Sequence, residues 1–166
     1  AEGQQPFFDP PAAAAILEIL DYHKIRLHKG NILIIGSGDL VGKPLSAMLL
    51  RRGVNFELAN RHTQNLAGLT AKADIIITGV GKPGLIRGDM VKAGVVVVDA
   101  GTAESEEGEV TGDADFASVE PKAKLISPVP GGVGPVTVAM LLRKVVKAAE
   151  FLTSPSLPLR DRRGKG

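Results

Sequence analysis

The sequence predicts an α/β fold, a Rossmann-like, doubly wound and mainly parallel sheet flanked by helices. Short and almost wholly apolar runs, such as residues 31–35 and 95–99, alternate with amphipathic helical runs. Runs this apolar are typical of strands buried on both faces. Strands that alternate with helices form parallel βαβ units, because parallel strands need crossover connections. Glycine-rich turns follow three of these strands, which favours ligand binding at the carboxyl edge of the sheet.

The elements follow one another regularly. A leading helix is predicted over 9–22, with Asp9 as N-cap and two prolines in the first turn. Strands are predicted at 31–35, 55–59, 74–78, 95–99 and 125–127, and helices at 40–52, 66–72 and 136–151. The polar stretch 104–112 breaks the alternation and predicts a hairpin excursion. We therefore expect one Rossmann domain over 1–152 and a flexible basic tail over 153–166.

Composition excludes several classes of function. The chain has 166 residues, no cysteine and only three histidines, so we expect no disulfide, no thiol catalysis and no metal site. Aromatic residues make up 4%, which argues against a base-stacking nucleic-acid binder. The net charge of the chain is +2, and residues 160–166 alone carry +3, so the rest of the chain carries −1. With no apolar run of about 18 residues and no secretory signal pattern, we expect a cytoplasmic protein without membrane contact.

The turn after the first strand predicts a dinucleotide site. Gly36, Gly38 and Gly42 follow a G-x-G-x-x-V-G pattern, which also contains Ser37 and Val41. In such folds one glycine allows the tight turn, one lets backbone amides approach a pyrophosphate, and one lets the helix pack on the strand. The amino terminus of the next helix then attracts the phosphates. A glycine-rich connection without a ligand is the alternative.

The end of the second strand bears on the cofactor. NAD-binding folds place an acidic residue there for the ribose hydroxyl, whereas NADP-binding folds place an arginine nearby. Arg61 follows the strand and suits a 2′-phosphate through charge-assisted hydrogen bonds, with Ser37 adding a hydroxyl. A solvated arginine in a loop is the alternative. His62 is interpreted as a loop residue near the adenosine rather than as a catalyst.

Further glycine and proline clusters follow later strands. Residues 79–84 contain Val80, Gly81 and Lys82, and the turn after the fourth strand contains Thr102. The stretch SPVPGGVGPVT over 127–137 predicts a rigid backbone that passes close to a cofactor or presents groups to a ligand. Ordinary turns and a structural connector are the alternatives.

Taken together, these motifs resemble the bifunctional methylenetetrahydrofolate dehydrogenase/methenyltetrahydrofolate cyclohydrolase family over residues 6–150. The resemblance rests on VPGGVGP-x-T (129–137), G-x-G-x-x-VGKP (36–44), VGKPG (80–84), VDAG (98–101), GDADF (112–116) and N-R-H-T-x-N-L (60–66). It implies the C-terminal cofactor domain of a two-domain enzyme. The dehydrogenase passes a hydride from 5,10-methylenetetrahydrofolate to NADP+, and the cyclohydrolase hydrates the 5,10-methenyl product to 10-formyltetrahydrofolate.

The resemblance also implies roles for residues. The cofactor, NADP with NAD as the alternative, is expected at Gly36, Ser37, Gly38, Val41, Gly42, Arg61, Val80, Gly81 and Thr102. The folate substrate is expected along Pro130, Gly131, Gly132, Val133 and Gly134. The resemblance also implies that the folate is shared with an N-terminal domain. The protein is expected to be a homodimer that meets through the cofactor domain.

Departures from the family pattern suggest that this chain carries no catalytic residue. The family's Tyr-x-x-x-Lys stretch is absent, since Tyr22 is followed four residues later by Arg26, and Gln4, Gln5 and Gln64 begin no Gln-x-Pro-x-Pro motif. The turn at 36–38 has Ser37 and Gly38 where the family often has Arg and Ser. The chain alone is therefore expected to be inactive. A second hypothesis is a degenerate, non-catalytic Rossmann module for nucleotide binding or dimerisation. A third, weaker one is nucleic-acid or membrane contact through the tail.

Overall fold

The computed structural model describes residues 9–104 and 108–153. The strands are β1 (Ile32–Ile35), β2 (Glu57–Ala59), β3 (Ile75–Thr78), β4 (Val95–Asp99), β5 (Ala103–Glu104), β6 (Val110–Thr111) and β7 (Ala123–Ile126). The α-helices are α1 (Pro11–Tyr22), α2 (Gly42–Arg51), α3 (Leu66–Lys72), α4 (Phe116–Val119) and α5 (Val133–Thr153), and short 3-10 helices lie at Leu27–Lys29, Gly88–Met90 and Glu120–Lys122.

Five strands form one parallel sheet in the order β2-β1-β3-β4-β7. This confirms the predicted doubly wound α/β fold. The chain leaves β1 for the edge strand β2 and then returns past β1 to β3, so the direction of winding reverses between β1 and β3. Such a reversal opens a crevice at the carboxyl ends of the two strands, where open α/β sheets bind their ligands.

The apolar strands explain the two-sided core. Every residue of β1, β3 and β4 is buried, and successive side chains point to opposite faces of the sheet. Ile34 and Ile77 belong to the cluster formed with α1, α2 and α5, whereas Leu33 and Ile76 belong to the cluster on the side of α3 and α4. A strand covered on both faces must be apolar at consecutive positions, as these are.

Helix α5 packs on α1 but leaves one side uncovered. Buried residues of α1, among them Ile16 and Leu20, share a cluster with Met140 of α5. The opposite side of α5 exposes apolar residues at helical spacing, and these are Val138, Leu141, Leu142, Val145, Val146 and Leu152. We call this set the outer face of α5. An apolar surface of this extent is typical of an interaction site.

Several predicted boundaries were wrong. Pro10, not Asp9, is the N-cap of α1, and Asp9 forms an ion pair with Arg51 instead. Helix α5 begins at Val133 rather than at 136, because Pro135 in its first turn has no N–H to leave unpaired there. The last strand of the sheet runs over 123–126, two residues earlier in its start than predicted.

The predicted hairpin is confirmed, since β5 and β6 pair antiparallel. Residues 105–107 between these strands lie outside the described residues, as does the predicted tail beyond Thr153. Within 9–104 and 108–153, no helix is both long and apolar enough to cross a membrane.

An ion pair at the amino edge of the sheet gives a test of the fold. Asp74 Oδ1 lies 2.6 Å from Lys92 Nζ, and Oδ2 accepts the Asn31 amide at 2.8 Å; these two contacts, the first above all, lower the pKa of the Asp74 carboxyl. A carboxyl whose pKa is lowered by folding stabilises the protein at every pH above the pKa of the unfolded chain. This stabilisation is lost as the pH falls through the lowered pKa of the folded state.

We therefore expect Asp74→Asn to lower the free energy of unfolding at pH 7 by about 0.5–1 kcal/mol, allowing for solvent screening. At pH 3 the difference from the wild type should shrink. Urea unfolding at both pH values measures this. Asp89→Asn, which breaks the more exposed pair with Arg87, is the control and should cause no measurable change. Equal effects of the two substitutions would contradict the prediction.

Candidate functional site

A cleft of about 660 Å³ lies at the carboxyl edge of the sheet, where the winding reverses. We call it the first cleft. It is formed by the turns that follow β1, β2 and β3. It brings together Gly36, Ser37, Gly38, Arg61 and Val80 of the predicted cofactor set, and it adds Ile35, Asn60, His62, Thr63, Leu66, Gly79, Lys82 and Leu85. Segments far apart in the sequence thus converge on one site.

The glycines of the first turn make room for close backbone contacts. Gly36 has a φ of +105°, a conformation that side chains rarely adopt. A Cβ on Gly42 would lie 1.9 Å from the carbonyl oxygen of Gly36, so the first turn of α2 is seated directly on this turn. A Cβ on Gly38 would meet no atom within 4 Å, so the backbone there is open to an approaching ligand. This cradle fits a pyrophosphate at a helix amino terminus.

Two predicted cofactor residues support this turn from behind. Val41 and Gly42 are buried and do not line the first cleft. A Cβ on Gly79 would lie 3.1 Å from the Val41 side chain, which shows how closely the turns after β1 and β3 pack. Beside Gly38, the carboxylate of Asp39 lies 2.6 Å from Lys43 Nζ, and this contact lowers the pKa of Asp39. The negative charge next to the cradle is thereby balanced.

Arg61 is presented by a hydrogen-bonded turn. The Asn60 amide donates to Thr63 Oγ1 at 2.8 Å, and the His62 amide donates to Asn60 Oδ1 at 2.8 Å. Arg61 Nε donates to His62 Nε2 at 3.1 Å, so His62 orients the guanidinium. Sequence reasoning missed Asn60 and Thr63, although an Asn and a Thr three residues apart are typical of such side-chain-closed turns.

The proline-glycine stretch lines a second cleft of about 390 Å³. All five predicted substrate residues lie there, together with the segment 99–102, Ala12, Val110, Pro128, Val129, Pro135 and Thr137. Thr102, predicted as a cofactor residue, lines this second cleft and not the first. A Cβ on Gly81 would lie 3.3 Å from the Thr102 carbonyl oxygen, so the turns of the two clefts adjoin at this point.

The loop itself has a conformation that few residues tolerate. The Val129–Pro130 peptide bond is cis, and Gly131 has a φ of +103°. A Cβ on Gly132 would lie 2.4 Å from the Pro128 carbonyl oxygen, so only glycine fits. Helix α5 continues from this loop at Val133.

Two buried aspartates lie beneath these turns, and sequence reasoning assigned them no role. Asp99 Oδ1 accepts the Gly101 amide and Oδ2 accepts the Ala114 amide, each at 2.8 Å. Burial raises the pKa of the Asp99 carboxyl above its usual range, against the lowering effect of these hydrogen bonds. Asp113 is fully buried beside it. The motifs VDAG and GDADF contain Asp99 and Asp113. For Asp99, a charged residue that ends a buried strand was the available signal.

The described part of the chain brings no three His, Asp or Glu side chains into an arrangement that could hold a metal ion. Besides apolar side chains, the first cleft contains the cations Arg61 and Lys82, the hydroxyls of Ser37 and Thr63, and the glycine backbone. Such groups recognise phosphates.

Comparison with known proteins decides the family. The model of the tetrahydrofolate dehydrogenase/cyclohydrolase NAD(P)-binding domain matches residues 10–153. The chain belongs to this family. The match covers both clefts and nearly all of the described residues. It agrees with the resemblance drawn from the motifs and confirms an NAD(P)-binding domain.

Relatives of this family are found in many organisms. The bifunctional protein FolD of Nocardia farcinica is 47% identical over 143 residues, which are 86% of this chain and 50% of that protein. The bifunctional protein FolD of Lactobacillus gasseri is 48% identical over 145 residues, 87% of this chain and 51% of that protein. The chain thus spans about half the length of the relatives that it matches.

Solved structures of the family agree with the fold. The bifunctional FolD methylenetetrahydrofolate dehydrogenase/cyclohydrolase of Campylobacter jejuni has a TM-score of 0.83 and 41% identity, over 86% of this chain and 51% of that one. The Trypanosoma brucei FolD structure, complexed with NADP cofactor and inhibitor, has a TM-score of 0.82 and 30% identity, over 91% and 54% of the chains. These comparisons favour membership of an enzyme family over the hypothesis of a degenerate module.

Proposed function

We propose that this NAD(P)-binding domain holds NADP+ in the first cleft. We further propose that it supplies the cofactor half of an enzyme that oxidises 5,10-methylenetetrahydrofolate and hydrates the 5,10-methenyl product to 10-formyltetrahydrofolate. The observation that carries the proposal is the convergence of the open backbone at Gly38 and the guanidinium of Arg61 in one cleft at the reversal of the sheet.

Different residues of the first cleft would bind different groups of the cofactor. The backbone of Gly36 and Gly38 and the amino terminus of α2 would hold the pyrophosphate. Arg61 would bind the 2′-phosphate, with Ser37 adding a hydroxyl, which favours NADP+ over NAD+. When bound, NADP+ supplies a nicotinamide ring that accepts a hydride. Val80 and Gly81 would line its path towards the second cleft.

The second cleft is proposed to border the folate. Pro130, Gly131, Gly132, Val133 and Gly134 present a fixed wall there. Since the two clefts adjoin at Gly81 and Thr102, a folate in the second cleft would lie next to a cofactor in the first. Holding two reactants in this way supplies much of the rate of a transfer reaction.

The general acid and base are proposed to come from an N-terminal half. Tyr22 is followed four residues later by Arg26 rather than by a lysine, and both residues are exposed. Arg26 lines a cavity at the amino edge of the sheet, opposite the two clefts. This supports the expectation that the described residues alone catalyse neither step. The outer face of α5 offers an apolar surface for such a half to cover. Assembly as a homodimer and a place in the cytoplasm stay predictions, to be checked by light scattering and by cell fractionation.

Titration of the purified chain with NADP+ and NAD+ by calorimetry tests the proposal. We expect saturable binding of both, with NADP+ tighter because of its additional phosphate. If neither NADP+ nor NAD+ binds at millimolar concentration, the proposal is overturned.

A second assay tests the division of labour. The chain is mixed with the separate N-terminal half of the Nocardia farcinica relative, and reduction of NADP+ with 5,10-methylenetetrahydrofolate is followed by absorbance. Activity in the mixture, and none in either half alone, is the expected result. Turnover by this chain alone would contradict the assignment of catalysis to the other half.

A further inference from the structure

The fully buried carboxylate of Asp113 binds the end of β3 and the turn that follows it. Asp113 Oδ2 accepts hydrogen bonds from Thr78 Oγ1 at 2.6 Å and from the Val80 amide at 2.7 Å, and Oδ1 accepts the Lys82 amide at 2.7 Å. Hydrogen bonds to a buried charge are strong and directional. Both oxygens therefore hold one short turn, residues 80–82, from below.

This turn is a wall of the first cleft and touches the glycine cradle. Val80 and Lys82 line the cleft. A Cβ on Gly36 would lie 3.0 Å from the Gly79 carbonyl oxygen and 3.2 Å from Val80 Cγ2, so the two turns are in direct contact. A displacement of residues 80–82 would therefore reach the backbone proposed to receive the pyrophosphate.

The same carboxylate lies against the second cleft. A Cβ on Gly101 would lie 2.3 Å from Asp113 Cγ, so the Gly101 backbone packs directly on this carboxylate. The next residue, Thr102, adjoins Gly81. Asp113 thus contacts turns that belong to both clefts, although it lines neither of them.

Asp113 is itself held in place by the backbone. The Ile86 amide donates to the Asp113 carbonyl at 3.1 Å, and the Asp115 amide donates to the Ile86 carbonyl at 2.9 Å. On its other side, the Ala114 amide donates to the buried Asp99 carboxylate. The backbone that carries the Asp113 side chain is therefore hydrogen-bonded on both sides.

We propose that Asp113 is a positioning residue of the cofactor site. Its carboxylate fixes the turn 80–82, and through that turn the Gly36 cradle, in the conformation that receives the dinucleotide. This inference rests on the proposed binding of NADP+ in the first cleft. It assigns a role to the GDADF motif.

The test is Asp113→Asn in the full chain. Asparagine has the same shape but offers one acceptor oxygen, so in either orientation of the amide one of the two backbone N–H groups faces an NH2 group. We expect the Kd for NADP+ to rise about tenfold or more, since a buried amide loses its acceptor. Calorimetry is carried out well below the melting temperature. Hydrogen exchange followed by mass spectrometry should show lost protection in the peptide that covers residues 79–85.

Asp74→Asn is the matched control, because it removes a charged acceptor at the opposite edge of the sheet. It should lower the melting temperature yet leave the Kd for NADP+ within about twofold of the wild type. If Asp113→Asn does not fold, Thr78→Val replaces it. Thr78→Val removes one donor to the same carboxylate, and a rise in Kd of about threefold is expected.

Three results would separate the possibilities. The positioning role is overturned if Asp113→Asn folds and binds NADP+ with wild-type affinity. If Asp113→Asn does not fold, wild-type affinity in Thr78→Val overturns it. An equal loss of affinity in Asp74→Asn overturns it as well, because the effect would then reflect general stability. If the wild-type chain does not bind NADP+, the proposed function fails instead, and the exchange data still decide whether Asp113 fixes the turn.

Discussion

Gly42→Ala is expected to destabilise the domain and to weaken NADP+ binding together. The new methyl carbon would lie 1.9 Å from the Gly36 carbonyl oxygen, a backbone atom that cannot move without shifting the cradle. Overpacking of this kind costs about 3 kcal/mol, which corresponds to a fall in melting temperature of roughly 6–12 °C for a chain of this size. We expect the Kd for NADP+ to rise more than about tenfold. Thermal unfolding and calorimetry measure the two effects.

Gly38→Ala is the matched control in the same turn. A Cβ at Gly38 meets nothing within 4 Å, so stability should stay within about 0.5 kcal/mol of the wild type. The methyl group would nevertheless occupy space open to the cofactor, so affinity for NADP+ should fall without a change in stability. Wild-type stability in Gly42→Ala would contradict the role of close packing. Wild-type affinity in Gly38→Ala would mean that the cofactor does not approach this turn.

Arg61→Ala is expected to abolish most of the preference for NADP+ over NAD+. A hydrogen-bonded contact between a guanidinium and a 2′-phosphate is worth about 1–3 kcal/mol, which corresponds to a fall in NADP+ affinity of about 5- to 150-fold. NAD+ lacks this phosphate, so its Kd should change by less than about twofold. Parallel calorimetric titrations with the two cofactors measure the difference.

Arg26→Ala serves as the matched control, because Arg26 lies at the opposite edge of the sheet. It should leave the Kd values for both cofactors unchanged. Equal weakening of NADP+ and NAD+ binding by Arg61→Ala would show that Arg61 does not read the phosphate. In that case Lys82, which lines the same cleft, is the next residue to replace.

The fold was largely predictable because its strands are chemically distinctive. The runs that become β1, β3 and β4 are short, rich in Ile and Val and apolar at consecutive positions, a pattern typical of strands covered on both faces. Boundaries were less predictable. Asp9 has the chemistry of an N-cap but pairs with Arg51, a residue 42 positions away, and no local pattern reveals that contact.

The candidate site was predictable in its parts but not in its assembly. The fold brings Gly36, Ser37, Gly38, Arg61 and Val80 together in one cleft. Their contact with the cofactor stays a prediction. Thr102 was expected with them but lines the second cleft with the proline-glycine loop. The order of the strands decides which turns are neighbours, and the sequence contains no local signal for that order.

By itself, the sequence determined which kind of backbone each segment forms and which family the chain belongs to. Apolar periodicity, glycine spacing and proline placement act over a few residues and can therefore be read along the chain. Only the tertiary structure decided that Asp113 lies beneath the turns of both clefts, 35 residues from the Thr78 hydroxyl that it accepts. A buried charge is stabilised only by donors that the fold brings to it, so its partners emerge when the chain has packed.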